Sequence, residues 1–106
     1  MKKHLLFICL ANIDRSPAAE TLFKDSDKYE AKSCGIDSFA TIPVSKEALE
    51  WADKIFCMQH EHKQFIIDHF DVDVNKIIVL NVGNEYARGD PGLERVLRGK
   101  LKDYLE

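Results

Sequence analysis

The sequence predicts a single α/β domain: a parallel sheet of four strands with helices on both faces. Three observations predict it. Apolar runs alternate with helical patterns along 106 residues, and the order βαβαβαβα implies parallel strands joined by helical, right-handed crossovers. The first run, "HLLFICL", is apolar without a break, as expected of a strand covered on both faces. No repeat, low-complexity tract or linker divides the chain, so residues 1–106 read as one domain.

The elements follow in order. "HLLFICL" is the first strand. Ser16 is a good N-cap and Pro17 suits a first helical turn, so "PAAETLFKDS" reads as a helix. "YEAKSCGI" is a second strand, and "FATIP" a loop. "VSKEALEWAD" is a helix capped by Ser45, and "KIFCM" a third strand. "HEHKQFIIDHF" places apolar residues at 65, 66 and 70, a helix with one buried stripe. "KIIVLNV" is a β-branched fourth strand. "GNEYARGDPG" is a glycine-rich loop, and "LERVLRGKLKDYLE" a C-terminal amphipathic helix.

Composition narrows the function classes. A net charge of −3 without a dominant basic face argues against nucleic acid or an anionic membrane as partner. No apolar run approaches the ~20 residues that span a bilayer. The N-terminal lysines and short apolar run read as a buried strand rather than a signal peptide, which points to the cytoplasm. Three irregularly spaced cysteines suggest neither a zinc site nor a disulfide framework. Cys34 and Cys57 read as buried hydrophobes. The four histidines lack metal-site spacing, and His62 and His69 are expected at the surface. No metal or cofactor is expected.

Ligands of parallel sheets bind beyond the carboxyl ends of the strands. The loop there, "CLANIDRS", joins the first strand to a helix. Such a loop can cradle a tetrahedral oxyanion between backbone N–H groups and a helix N-terminus. Arg15 can grip two phosphate oxygens with its planar fork. Cys9, at the base of the cradle, meets surroundings that favour thiolate over thiol. It is placed to attack phosphorus in line, with Ser16 donating to its sulfur. Asp90, in "RGDPG", can reach the same edge of the sheet as a general acid and base, or act only as the cap of the last helix.

These residues resemble a known family. "FICLANIDRSPAAETLF" is similar to the active-site segment of the low-molecular-weight protein tyrosine phosphatases, and "AKSCGID", "ALEWADKIFCMQHEHKQFI" and the Asp-Pro at 90–91 extend the likeness over nearly the whole chain. The pattern "NEYARGDP" is similar to a compact, short-chain subgroup of predicted phosphatases. The resemblance implies a central first strand, with sheet order 2-1-3-4. It implies a metal-free, two-step hydrolysis through a phosphocysteine, with Cys9 as nucleophile, Arg15 as clamp, Ser16 as thiolate partner and Asp90 as acid then base. Leu10, Ala11, Asn12, Ile13 and Asp14 would form the phosphate-binding loop, with Asn12 left-handed. Substrates would be a phosphorylated protein, phosphotyrosine by family default, or a small phosphomonoester. Phosphoarginine stays open, and inorganic phosphate is the product.

Three departures stand out. Ala11 replaces a glycine. Asp14 replaces a cysteine that can protect the nucleophile as a disulfide, and its carboxylate would oppose both thiolate and phosphate unless paired or turned away. Gly92 and Leu93 stand where pocket tyrosines would be, leaving Ile13, Phe39 and Tyr86 as candidate walls. Alternatives are a non-catalytic anion-binding module, a phosphocysteine carrier and an arsenate reductase. Arg15 and Asp90 count against the carrier. The reductase needs resolving cysteines able to reach Cys9.

Overall fold

The computed structural model describes residues 2–83, 85–87 and 89–105. Its strands are β1 (Lys3–Cys9), β2 (Tyr29–Gly35), β3 (Lys54–Cys57) and β4 (Ile77–Val79), and its α-helices α1 (Arg15–Thr21), α2 (Lys46–Trp51), α3 (His60–His69) and α4 (Pro91–Leu101). The strands form one parallel sheet in the order β2-β1-β3-β4, as expected.

The unbroken apolar run of β1 feeds two cores at once. Leu5, Phe7 and Cys9 join Phe56, Met58 and the α4 leucines Leu93, Leu97 and Leu101 on one face. Leu6 and Ile8 join Cys34, Ile55, Cys57, Leu49 and Ile66 on the other. Thus α1 and α4 cover one face, α2 and α3 the other. Phe7 and Phe56, paired in register, stack with ring centroids 5.3 Å apart.

Three local departures from expectation have physical causes. First, α1 begins at Arg15, with Asp14 rather than Ser16 at the N-cap position and no side-chain cap. The Ser16 hydroxyl is drawn inward instead. Past Thr21 the predicted helix tightens into turns with i+3 hydrogen bonds from Leu22, Phe23 and Lys24. Second, β4 is three residues long because Asn81 takes φ 57°, which no regular strand tolerates. The Leu80 and Val82 N–H groups still bond to the end of β3, at Cys57 O and Met58 O. Third, His62 is buried rather than at the surface, whereas His69 is exposed. His62 Nδ1 accepts the Gln59 N–H at 3.0 Å, closing the start of α3. The "GNEYARGDPG" segment is loop up to Pro91 among its described residues, as expected, and its Asn84 and Arg88 lie outside the described residues. Ser45 also caps α2 as expected, accepting the Ala48 N–H.

The loop after β1 rests on the segment after β2. Ile36, Asp37 and Thr41 donate their N–H groups to Cys9 O, Leu10 O and Ala11 O. Gly35 makes that approach possible, because a Cβ there would stand 2.6 Å from Leu10 O and 2.7 Å from the Ala40 Cβ.

Two measurements check this account. Gly35→Ala should cost about 1–3 kcal/mol by overpacking, read as a lower urea midpoint; an unchanged midpoint would show that the loop has room to give. For His62, burial first and the Arg15 guanidinium second push its pKa down to about 4. Below the ordinary value of 6.5 the unfolded chain takes up a proton that the folded chain refuses until about pH 4. Stability should therefore fall as pH drops through that window, by up to about 3 kcal/mol. Urea unfolding at pH 7 and 4.5 should give a smaller loss for His62→Gln than for the parent, and equal losses would refute the assignment.

Candidate active site

The site is built where β1 ends. Cys9 is 2% exposed, and the chain must turn from it into α1 within five residues. Asn12 makes the turn with φ 57°, a left-handed conformation that Asn accepts more readily than most residues. The turn brings the Asn12 N–H back onto Cys9 Sγ at 3.2 Å.

A chain of polar groups holds Asn12 there. Its Nδ2 donates to Ser16 Oγ and to Ser33 Oγ, each at 2.9 Å. Ser33 donates in turn to Glu20 Oε1 at 2.5 Å. Ser16 Oγ lies 3.0 Å from Cys9 Sγ and 3.3 Å from Cys34 O. Its one proton therefore has two acceptors. Beside a thiolate it points to sulfur. Beside a thiol it turns to Cys34 O, and the S–H donates to Ser16. The network serves both protonation states without leaving a buried donor unsatisfied.

Arg15 is 5% exposed. Its Nη1 donates to Gln59 Oε1 at 2.6 Å and to Val82 O at 2.8 Å. Both Nη1 hydrogens are thereby engaged, which leaves the Nε–Nη2 edge as the fork for a ligand. A pocket of about 140 Å³ is lined by Cys9, Leu10, Ala11, Ile13, Asp14, Arg15 and Tyr86. The N–H groups of Ala11 and Ile13, on that wall, have no acceptor among the described residues. A small anion seated there meets backbone donors and a guanidinium above a sulfur.

The predicted site residues divide accordingly. Cys9, Leu10, Ala11, Ile13, Asp14, Arg15 and Tyr86 come together on the pocket, with Asn12 and Ser16 directly behind it. Phe39 does not join them. It is 94% exposed, in a loop where its N–H donates to Asp37 Oδ1. Asp90 is also off the pocket wall. Its Oδ1 accepts the Gly92 N–H at 2.7 Å and caps α4, and it lines the neighbouring cleft between α1 and α4. It remains next to the rim: a Cβ on Gly92 would lie 3.1 Å from Asp90 Oδ1 and 3.7 Å from Tyr86 Cε1.

Ser33, Glu20, Gln59 and Val82 belong to the site but escaped the sequence reading, since each is joined to it only by folding. Cys34 and Cys57 are buried in β2 and β3, on the opposite sheet face from Cys9. Burial pushes both thiols up to about 12. Neither is a mobile resolving cysteine, which weighs against a reductase. Among the described residues, no group of three or more His, Cys, Asp or Glu is placed to hold a metal, and no helix is long and apolar enough to cross a membrane.

No family model matches the chain. A protein-arginine-phosphatase of Bacillus subtilis is 27% identical to it, over 83% of this chain and 75% of the relative. The solution structure of a low-molecular-weight protein tyrosine phosphatase from Bacillus subtilis is 26% identical, with TM-score 0.69, covering 94% of this chain and 97% of the other. The crystal structure of such a phosphatase from T. tengcongensis superposes with TM-score 0.76 over 98% of this chain and 100% of the other. At 21% identity that likeness speaks for the fold. Taken with the cysteine-to-arginine loop at the end of a central first strand, these relationships show that the chain is similar in fold and in sequence to the low-molecular-weight protein tyrosine phosphatases.

Proposed function

We propose that the protein is a cysteine-dependent phosphatase that hydrolyses phosphoprotein substrates through a phosphocysteine. One observation carries the reading: Cys9 and Arg15 face a single small pocket, with the sulfur hydrogen-bonded by the Asn12 N–H and within reach of the Ser16 hydroxyl. In the first step the thiolate attacks phosphorus, the S–P bond forms and the P–O bond to the leaving group breaks. Backbone N–H groups and the free edge of Arg15 take up charge on the equatorial oxygens. In the second step water attacks phosphorus, the S–P bond breaks and inorganic phosphate leaves. Asp90 is the candidate that protonates the leaving oxygen and then deprotonates the water. Its Oδ1 is held by the helix cap, so Oδ2 is the oxygen for this task. The chain supplies nucleophile, clamp and acid itself, so the chemistry requires no metal. Three free cysteines suit a cytoplasmic setting.

Phosphotyrosine is the favoured substrate. The exposed Ile13 and the ring of Tyr86 give the pocket apolar walls for an aromatic ester. Phosphoarginine is the second reading, supported by two observations. Asp14 is an acidic residue among those that line the pocket, a setting suited to a substrate whose phosphoryl group is attached to a guanidinium, and a relative is a protein-arginine-phosphatase.

Turnover of p-nitrophenyl phosphate should persist in chelator and vanish in Cys9→Ser. No turnover at any pH would favour an anion-binding module instead. Asp90→Asn should slow poor leaving groups by about 10²-fold or more and good ones less; equal rates on both would leave Asp90 as a helix cap alone. Asp14→Asn should shift the kcat/KM ratio toward phosphotyrosine over phosphoarginine peptides by about tenfold. A ratio that does not move would remove Asp14 from substrate choice.

A further inference from the structure

We propose that Gln59 is a positioning residue for the phosphate clamp, holding the Arg15 guanidinium in place through an acceptor that carries no charge. The inference rests on the reading of the pocket as a phosphate site. Arg15 approaches the pocket from the start of α1, whereas Gln59 comes from the junction of β3 and α3, 44 residues away. The Gln59 Oε1 to Nη1 distance of 2.6 Å is short for an N–H···O bond. The second acceptor, Val82 O, is backbone, presented just after the left-handed Asn81. These two acceptors fix Nη1 and so select which edge of the guanidinium faces the ligand.

The choice of an amide matters as much as the contact. Glutamate would reach the same nitrogen, but its charge would neutralise the guanidinium and weaken its pull on an anion. Glutamine fixes the group and leaves the whole positive charge to the pocket. Gln59 is itself held. Its N–H donates to His62 Nδ1 at 3.0 Å, and its C=O accepts the His62 N–H at 3.1 Å. The unprotonated Nδ1 is the form this bond requires. Gln59 also occupies the N-cap position of α3, where asparagine and serine are the preferred residues and glutamine is not. Gln59 and His62 form a capping box there, and the 2.6 Å bond to Arg15 is a contact beyond what capping requires.

Two substitutions separate positioning from capping. Gln59→Asn keeps the amide and is a preferred cap residue, but its side chain is one methylene short of Arg15. A capping role predicts an unchanged or higher melting temperature and unchanged phosphate binding. Positioning predicts the same melting temperature with a competitive Ki for inorganic phosphate raised about tenfold, KM for p-nitrophenyl phosphate rising with it and kcat falling less. Gln59→Glu keeps the reach and adds charge, and it should also weaken phosphate binding about tenfold. If the Asn variant proves unfolded, the Glu variant decides. A folded variant that binds phosphate within twofold of the parent overturns the inference and leaves the phosphatase reading standing. A parent that binds no phosphate by calorimetry overturns both.

Discussion

The turn from β1 into α1 around one sulfur atom is the constraint on which the rest of the site depends. Five residues must reverse the chain so that the Asn12 N–H faces the cysteine it has just left. That demands a left-handed residue, and a side chain that can anchor the strained turn from behind. Asparagine meets both needs, since both of its amide hydrogens find hydroxyl acceptors, on Ser16 and Ser33. Through Ser33 the turn is tied to β2, and through Glu20 to the far end of α1. The loop is therefore held by the sheet beneath it rather than by its own contacts.

The same requirement shapes neighbouring elements that do not touch the ligand. Gly35 ends β2 because the backbone of Leu10 and Ala11 lies where a side chain would be. Asn81 breaks β4 early, and the carbonyl that follows serves Arg15. A strand is shortened here in favour of one charged hydrogen bond. Such a trade is sensible at a site, where placing a guanidinium to within a fraction of an ångström matters more than one further ladder rung.

Much of this was legible from the chain alone, and what was not has a common cause. The alternation of apolar runs and helical patterns specified the parallel sheet, and the unbroken "HLLFICL" announced a strand between two cores. Cys9 and Arg15 could be read together because one loop carries both. Ser16 reads both as a helix cap and as a partner of the Cys9 sulfur; its hydroxyl turns inward to the sulfur and does not cap, and the local signal is the same for either. Ser33 and Gln59 lie 21 and 44 residues from their partners, and nothing local distinguishes them from surface polar residues. Asn81 was the one missed residue with a signal: an asparagine inside a β-branched run is out of place in a strand and at ease with positive φ. Phe39 failed for the opposite reason. Its aromatic character suggested a wall, but only the fold decides which way a loop turns.

The charges around the pocket are arranged unequally. Among the described residues, the groups that grip Arg15 from behind are neutral: an amide oxygen, a backbone carbonyl and, one step further, a histidine that burial keeps unprotonated. The negative Glu20 is set behind two hydroxyl and amide partners, where it orients the loop at a distance. Among the described residues that line the pocket, Asp14 is the acidic one. A carboxylate close to a bound dianion opposes it unless it is paired or turned away, and Asp14 has a partner in the folded chain.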